Sequence, residues 1–123
     1  MKKVYLAGGF KTRWQDVVIK NAPQFKFLDP SLHGIEDPDE YTEWDLKAVE
    51  QSDIVFAHME GSNPGGYAMA LEIGYAKALN KTVIYTESGI GENLKKRFDM
   101  VRSASDFQYT NINDGIKKLN ELQ

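Results

Sequence analysis

The chain has no cysteine, so neither disulfides nor zinc–thiolate centres can form. Its two histidines, His33 and His58, are too few and too far apart in sequence to suggest a metal site. There is no excess of positive charge. Lys and Arg number 15 against 18 Asp and Glu, and the basic residues are scattered, so a nucleic-acid polymer is not an expected partner. No apolar run approaches the roughly 20 residues of a membrane span, and no signal-peptide pattern precedes the first strand pattern. The expectation is a soluble cytoplasmic protein with no membrane partner. Repeats, low-complexity tracts and linkers are also missing. The 123 residues suffice for one core and not for two, so residues 1–123 are expected to form a single domain.

What is present is an alternation of short strands and helices. Lys3 to Ala7 is an apolar run closed by Gly8-Gly9, a first strand and its turn. Trp14, Val17 and Val18 give helical spacing over Arg13 to Ala22, which Pro23 stops. Phe25 to Leu28 reads as a second strand. Residues 30–40, rich in Pro, Gly and acids, read as a loop and a candidate flap. Tyr41 to Ser52 is a helix and Asp53 to His58 a third strand. A helix ending near Asn80 follows the turn Pro64-Gly65-Gly66. Thr82 to Tyr85 is a fourth strand, Asn93 to Arg102 a basic helix, Phe107 to Tyr109 a fifth strand, and Asp114 to Leu122 a last helix. Such alternation predicts an α/β fold: a three-layer, doubly wound, Rossmann- or flavodoxin-like sandwich with a mostly parallel sheet of about five strands. Ligands of such sheets bind at the carboxyl ends of the strands.

Two acids stand in apolar surroundings. At about 100° per residue, Met69, Leu71, Ile73, Tyr75, Ala76 and Leu79 cover more than half of their helix, and Glu72 falls inside that arc. It is placed in the early part of the helix, where the dipole favours negative charge. Asp45 repeats the pattern among Tyr41, Trp44, Ala48 and Val49. A carboxyl group in such a place is paired, protonated or used. Two carboxyls reaching one cleft are the equipment for cleaving a glycosidic bond, one as nucleophile and one as proton carrier. Structural roles stay open at this point: a buried acid bonded to a turn for each of these, an ordinary core tyrosine for Tyr5, and a helix cap for Asn93. Lys11 and Arg13 after the glycine turn are candidates for a 5′-phosphate. His58 reads as a satisfied polar residue, and Asp53 as a tie for the loop before the third strand.

Three segments resemble the nucleoside 2-deoxyribosyltransferase family and its 2′-deoxynucleoside 5′-phosphate N-hydrolase relatives: V-Y-L-A-G-G-F at Val4 to Phe10, W-D-L-K-A-V-E-Q-S-D-I at Trp44 to Ile54, and L-E-I-G-Y-A-K-A-L-N-K at Leu71 to Lys81. The likeness covers roughly residues 3 to 95. It implies Glu72 as nucleophile at C1′, Asp45 as the acid serving the base, and Tyr5 as the partner that tunes Glu72. It further implies Gly8, Gly9 and Phe10 around the substrate, and Asn93 lent to a neighbouring subunit of a homodimer or higher homo-oligomer. The implied substrates are a nucleoside or nucleotide and a free nucleobase, by base exchange or by hydrolysis, without cofactor or metal. One departure stands out. The family places an aspartate six residues before the nucleophile, and here that residue is Gly66, with Asn63 or Ser62 as stand-in. That departure keeps open a non-catalytic module that binds a nucleotide.

Overall fold

In the computed structural model of the chain, residues 1–61 and 66–123 are described. Five parallel strands form one sheet: β1 (Lys3–Gly8), β2 (Lys26–Leu28), β3 (Ile54–Glu60), β4 (Thr82–Ser88) and β5 (Phe107–Tyr109), in the order β2-β1-β3-β4-β5. Six helices accompany them: α1 (Trp14–Asn21), α2 (Pro38–Gln51), α3 (Gly66–Ala78), α4 (Glu92–Arg97), α5 (Asp99–Ala104) and α6 (Ile112–Glu121). The chain leaves β1 towards β2 on one side and continues from β3 towards β5 on the other. Neighbouring β1 and β3 therefore flank the switch point, where such sheets open a crevice.

Strand parity sorts the core into two layers. Val4, Leu6, Ile54, Phe56 and Ile84 point to one face, where Trp14 and Val18 of α1 and Ile116 and Leu119 of α6 cover them. Tyr5, Ala7, Val55, Ala57, Val83 and Tyr85 point to the other, beneath Ala48 and Val49 of α2 and Met69, Ile73 and Ala76 of α3. Because both faces are covered, β3 is buried along its whole length, as a parallel strand in a three-layer sandwich must be. Asp53 accepts a hydrogen bond from the Lys3 backbone N–H, and Asp106 one from Val83, so an acid ties down the entries of β1 and β4.

Some boundaries differ from the sequence expectation. Helix α2 starts within the expected flap, because Asp37 caps it through the Glu40 N–H and Pro38 occupies its first turn. Pro30–Leu32 forms a 3-10 turn capped by Asp29. The expected helix from Asn93 to Arg102 is two helices, broken at Phe98, whose ring is buried against the second layer. Strands β3 and β4 run two and three residues further than their apolar patterns, since His58, Glu60, Thr86 and Glu87 are buried polar residues. Among the described residues no helix is long and apolar enough to cross a membrane.

Candidate active site

Tyr5 and Glu72 meet under the carboxyl edge of the sheet. Tyr5 is a central residue of β1, fully buried, and its phenol donates a hydrogen bond to Glu72 Oε2. Glu72 reaches it from α3, which packs across β1 and β3. Only 6% of Glu72 is exposed, so the carboxyl is cut off from water. Burial pushes its pKa up to about 8. The Tyr5 phenol works against that rise and the negative charge of Asp45 adds to it. The Tyr5 phenol is itself held well above its ordinary value, by burial and then by Glu72, so it stays a donor. Glu72 is the seventh of thirteen residues in α3. The field of a helix end falls off within one turn, so the expected help from the dipole is not available there.

Asp45 lies on α2 and is partly buried. Its charge acts on both Tyr5 and Glu72, so the three groups form one electrostatic unit. Burial raises the Asp45 pKa, and a histidine opposes the rise. That histidine is His33. Its Nε2 lies 3.1 Å from Asp45 Oδ1, and its Nδ1 accepts the Ile35 backbone N–H at 3.0 Å. An accepting Nδ1 puts the ring proton of the neutral form on Nε2, so His33 donates to Asp45. The ring also stands edge-on to Trp44, centroids 4.7 Å apart. In the sequence His33 was weighed only as a metal ligand, for which it stands too far from His58. The available signal was its place in the acid-rich segment entering the helix that carries Asp45.

The substrate-side expectations divide. Gly8 has φ +152°, and a Cβ there would lie 2.5 Å from the His58 carbonyl oxygen and 2.9 Å from the Trp14 ring, so only glycine fits. The Gly9 carbonyl accepts bonds from Trp14 Nε1 at 2.9 Å and Gln15 Nε2 at 3.0 Å, and is thus turned to the protein. Phe10 is 53% exposed at the edge. Arg13 bonds Asp16 and Ser31 and lies 3.6 Å from Asp29, so neighbouring groups already claim its guanidinium. Asn93 is exposed at the second position of α4; Gly91 occupies the cap, so the capping role does not apply. Asn63 lies outside the described residues. Gly66 is buried, and a Cβ there would lie 2.6 Å from Phe98 and 2.8 Å from the Met59 sulfur. That contact leaves no room for an aspartate at this position.

Beside the start of α3 a cleft is lined by Lys11, Met59, Tyr67, Leu94, Arg97 and Phe98. On the far side of the sheet, His58 makes a closed set of bonds. Thr86 gives its hydroxyl proton to the Ala57 carbonyl and so accepts from His58 Nδ1, and Ser88 stands 3.2 Å from Nε2. His58 is satisfied there, as expected, and burial lowers its pKa.

Fold and site define a doubly wound α/β protein with a buried carboxyl beside its switch point. The family model described as nucleoside 2-deoxyribosyltransferase like matches residues 1–90, and the chain belongs to that family. It is accordingly an enzyme of the glycosyltransferase or N-glycoside hydrolase kind. Two solved structures are similar in fold. One is a 2-desoxiribosyltransferase from Leishmania mexicana, at 18% identity over 78% of this chain and 71% of that one, with a TM-score of 0.62. The other is a CMP N-glycosidase from Clostridium botulinum, at 22% identity over 99% and 100%, with a TM-score of 0.66. No curated protein sequence gives a significant match.

Proposed function

We propose that the protein cleaves the N-glycosidic bond of 2′-deoxynucleosides by a retaining double displacement at Glu72. The observation that carries this is the buried Tyr5–Glu72 pair within reach of the Asp45 charge. A glutamate Oε attacks C1′ as the C1′–N bond breaks, and the electron pair of that bond leaves with the base. Asp45 gives a proton to the departing base. A second base, or water, then attacks C1′, the ester bond returns its electrons to Glu72, and Asp45 takes the proton of the incoming group. Two inversions give retention. Tyr5 holds Oε2 and leaves Oε1 to the sugar.

The working pair carries one proton in total. Its pH profile is therefore bell-shaped, rising through the raised pKa of Asp45 and falling through that of Glu72, about 8. The exposed Phe10 flanks the base, and the glycine turn at Gly8 and Gly9 lets the chain pass close to it. The protein acts as a homodimer, with Asn93 of one subunit serving the site of the other.

Base exchange and hydrolysis share the ester intermediate. A second reading, hydrolysis of a 5′-monophosphate, is favoured by Lys11 and Arg97 on the wall of the cleft beside α3. Arg13, engaged with Asp16, Asp29 and Ser31, is the weaker phosphate candidate. The test is chromatography of reactions containing 2′-deoxynucleosides or their monophosphates, with and without a free base, for the native protein and Glu72→Ala. A new deoxynucleoside that requires Glu72 supports exchange, and free base without exchange supports hydrolysis. Turnover that survives Glu72→Ala, or none with any substrate, would falsify the mechanism.

A further inference from the structure

We propose that His33 is a positioning residue that pins one oxygen of Asp45 and reserves the other for the nucleobase. The inference rests on the reading of Asp45 as the acid that serves the base. The geometry carries it. His33 is held on three sides: by the Ile35 N–H at Nδ1, by Trp44 at its ring edge and by Asp45 Oδ1 at Nε2. The Ile35 N–H fixes the tautomer that donates from Nε2, as second partners fix ring tautomers elsewhere. Among the described residues, His33 is the one donor bonded to Asp45, and it takes Oδ1. The free oxygen, Oδ2, then has the orientation that a proton carrier needs.

The segment bearing His33 is itself tied down. Ser31 donates to Asp29 and receives Arg13, and Asp29 caps the 3-10 turn. His33 directly follows that anchored turn, in a stretch that composition alone reads as a flap. The ionisable groups acting around Asp45 are His33 from this segment, Tyr5 from β1 and Glu72 from α3. His33 favours the carboxylate, whereas the negative charge of Glu72, once formed, disfavours it.

The test compares His33→Phe, which keeps a ring against Trp44 and removes the donor, with His33→Gln, which restores an N–H at similar reach. Two readouts are taken: the pH profile of turnover, and the titration of the Asp45 carboxyl carbon by NMR. In His33→Phe, Asp45 is expected to titrate at higher pH and the acid limb of the profile to move with it. The kcat is expected to fall roughly tenfold to a hundredfold, the scale on which loss of an orienting outer partner acts, with KM little changed. His33→Gln is expected to return all three towards the native values. An unmoved Asp45 titration in His33→Phe, or a glutamine variant as impaired as the phenylalanine one, overturns the inference. If the native protein turns over no nucleoside, the NMR arm still decides: a moved titration sustains the role of His33 and only the functional reading falls. Should His33→Phe not fold, His33→Leu makes the same comparison.

Discussion

Glu72 carries the clearest conflict between stability and chemistry in the chain. Folding moves its pKa from the ordinary 4.5 up to about 8, so the folded chain prefers the neutral acid while the reaction needs the anion. The stabilisation from a raised pKa is complete below pH 4.5 and is lost as pH climbs through about 8, where a buried anion must form. At about 1.36 kcal/mol per pKa unit, the loss amounts to roughly 3–5 kcal/mol at alkaline pH. Glu72→Gln removes that loss, keeps the shape, and still offers an oxygen to Tyr5. Its melting temperature is expected to equal or trail that of the native protein near pH 5 and to exceed it increasingly towards pH 9. Asp45 is common to both proteins, so its own shift cancels in the difference. Parallel melting curves across that range would show that Glu72 ionises as an ordinary carboxyl in the folded state.

At the scale of elements, α3 shows how far a pattern can be read. The sequence marks its apolar arc and the odd acid within it, and both are real: Met69, Ile73 and Ala76 are buried, and Glu72 with them. The pattern was too wide, since Leu71 is 60% exposed. Periodicity measures apolarity and not which apolar side faces the sheet. The parallel, doubly wound sheet of five strands was also legible in the alternation of elements, and the Tyr5–Glu72 contact through the resemblance; the strand order was not. His33 was not, because its partner is on the next helix and its bonds depend on a backbone turn at Ile35. Gly66 looked like a missing aspartate. The structure instead makes it a packing glycine, with Phe98 and Met59 where a Cβ would go. Gly66→Ala, at the first position of α3, thus sets a small helix gain against an overpacking cost of roughly 1–3 kcal/mol. The Phe98 ring and the Met59 sulfur would both lie under 3.0 Å from the new Cβ, so the cost is expected to win by about 1 kcal/mol. Denaturant unfolding of the variant measures it, and a stabilised variant would mean that Phe98 and Met59 yield freely.

The whole molecule leaves a second apolar stripe on α3 uncovered. Tyr67, Leu71, Gly74 and Ala78 follow one another at helical spacing, all exposed, with Tyr67 at 82%. Helix α5, packed beside α3, adds Met100 at 83%. A helix apolar on both sides is a helix buried on both sides, and in the proposed homodimer the second cover is another copy of the chain. A lysine at the centre of that stripe would place a charge in the interface, so Leu71→Lys is expected to sediment as a monomer while keeping its far-ultraviolet spectrum. Asn93 allows a sharper test, because a side chain lent across an interface can be supplied by a different subunit. Glu72→Ala and Asn93→Ala are each expected to be inactive alone. Mixed in equal amounts and allowed to exchange, they form heterodimers in which one of the two sites has both an intact Glu72 and an intact Asn93. Random pairing of the subunits of a two-fold dimer then restores about a quarter of the native activity. No recovery on mixing, with exchange confirmed by mass, would place Asn93 in its own subunit's site or in none, and the dimer would have to be argued from the α3 stripe alone.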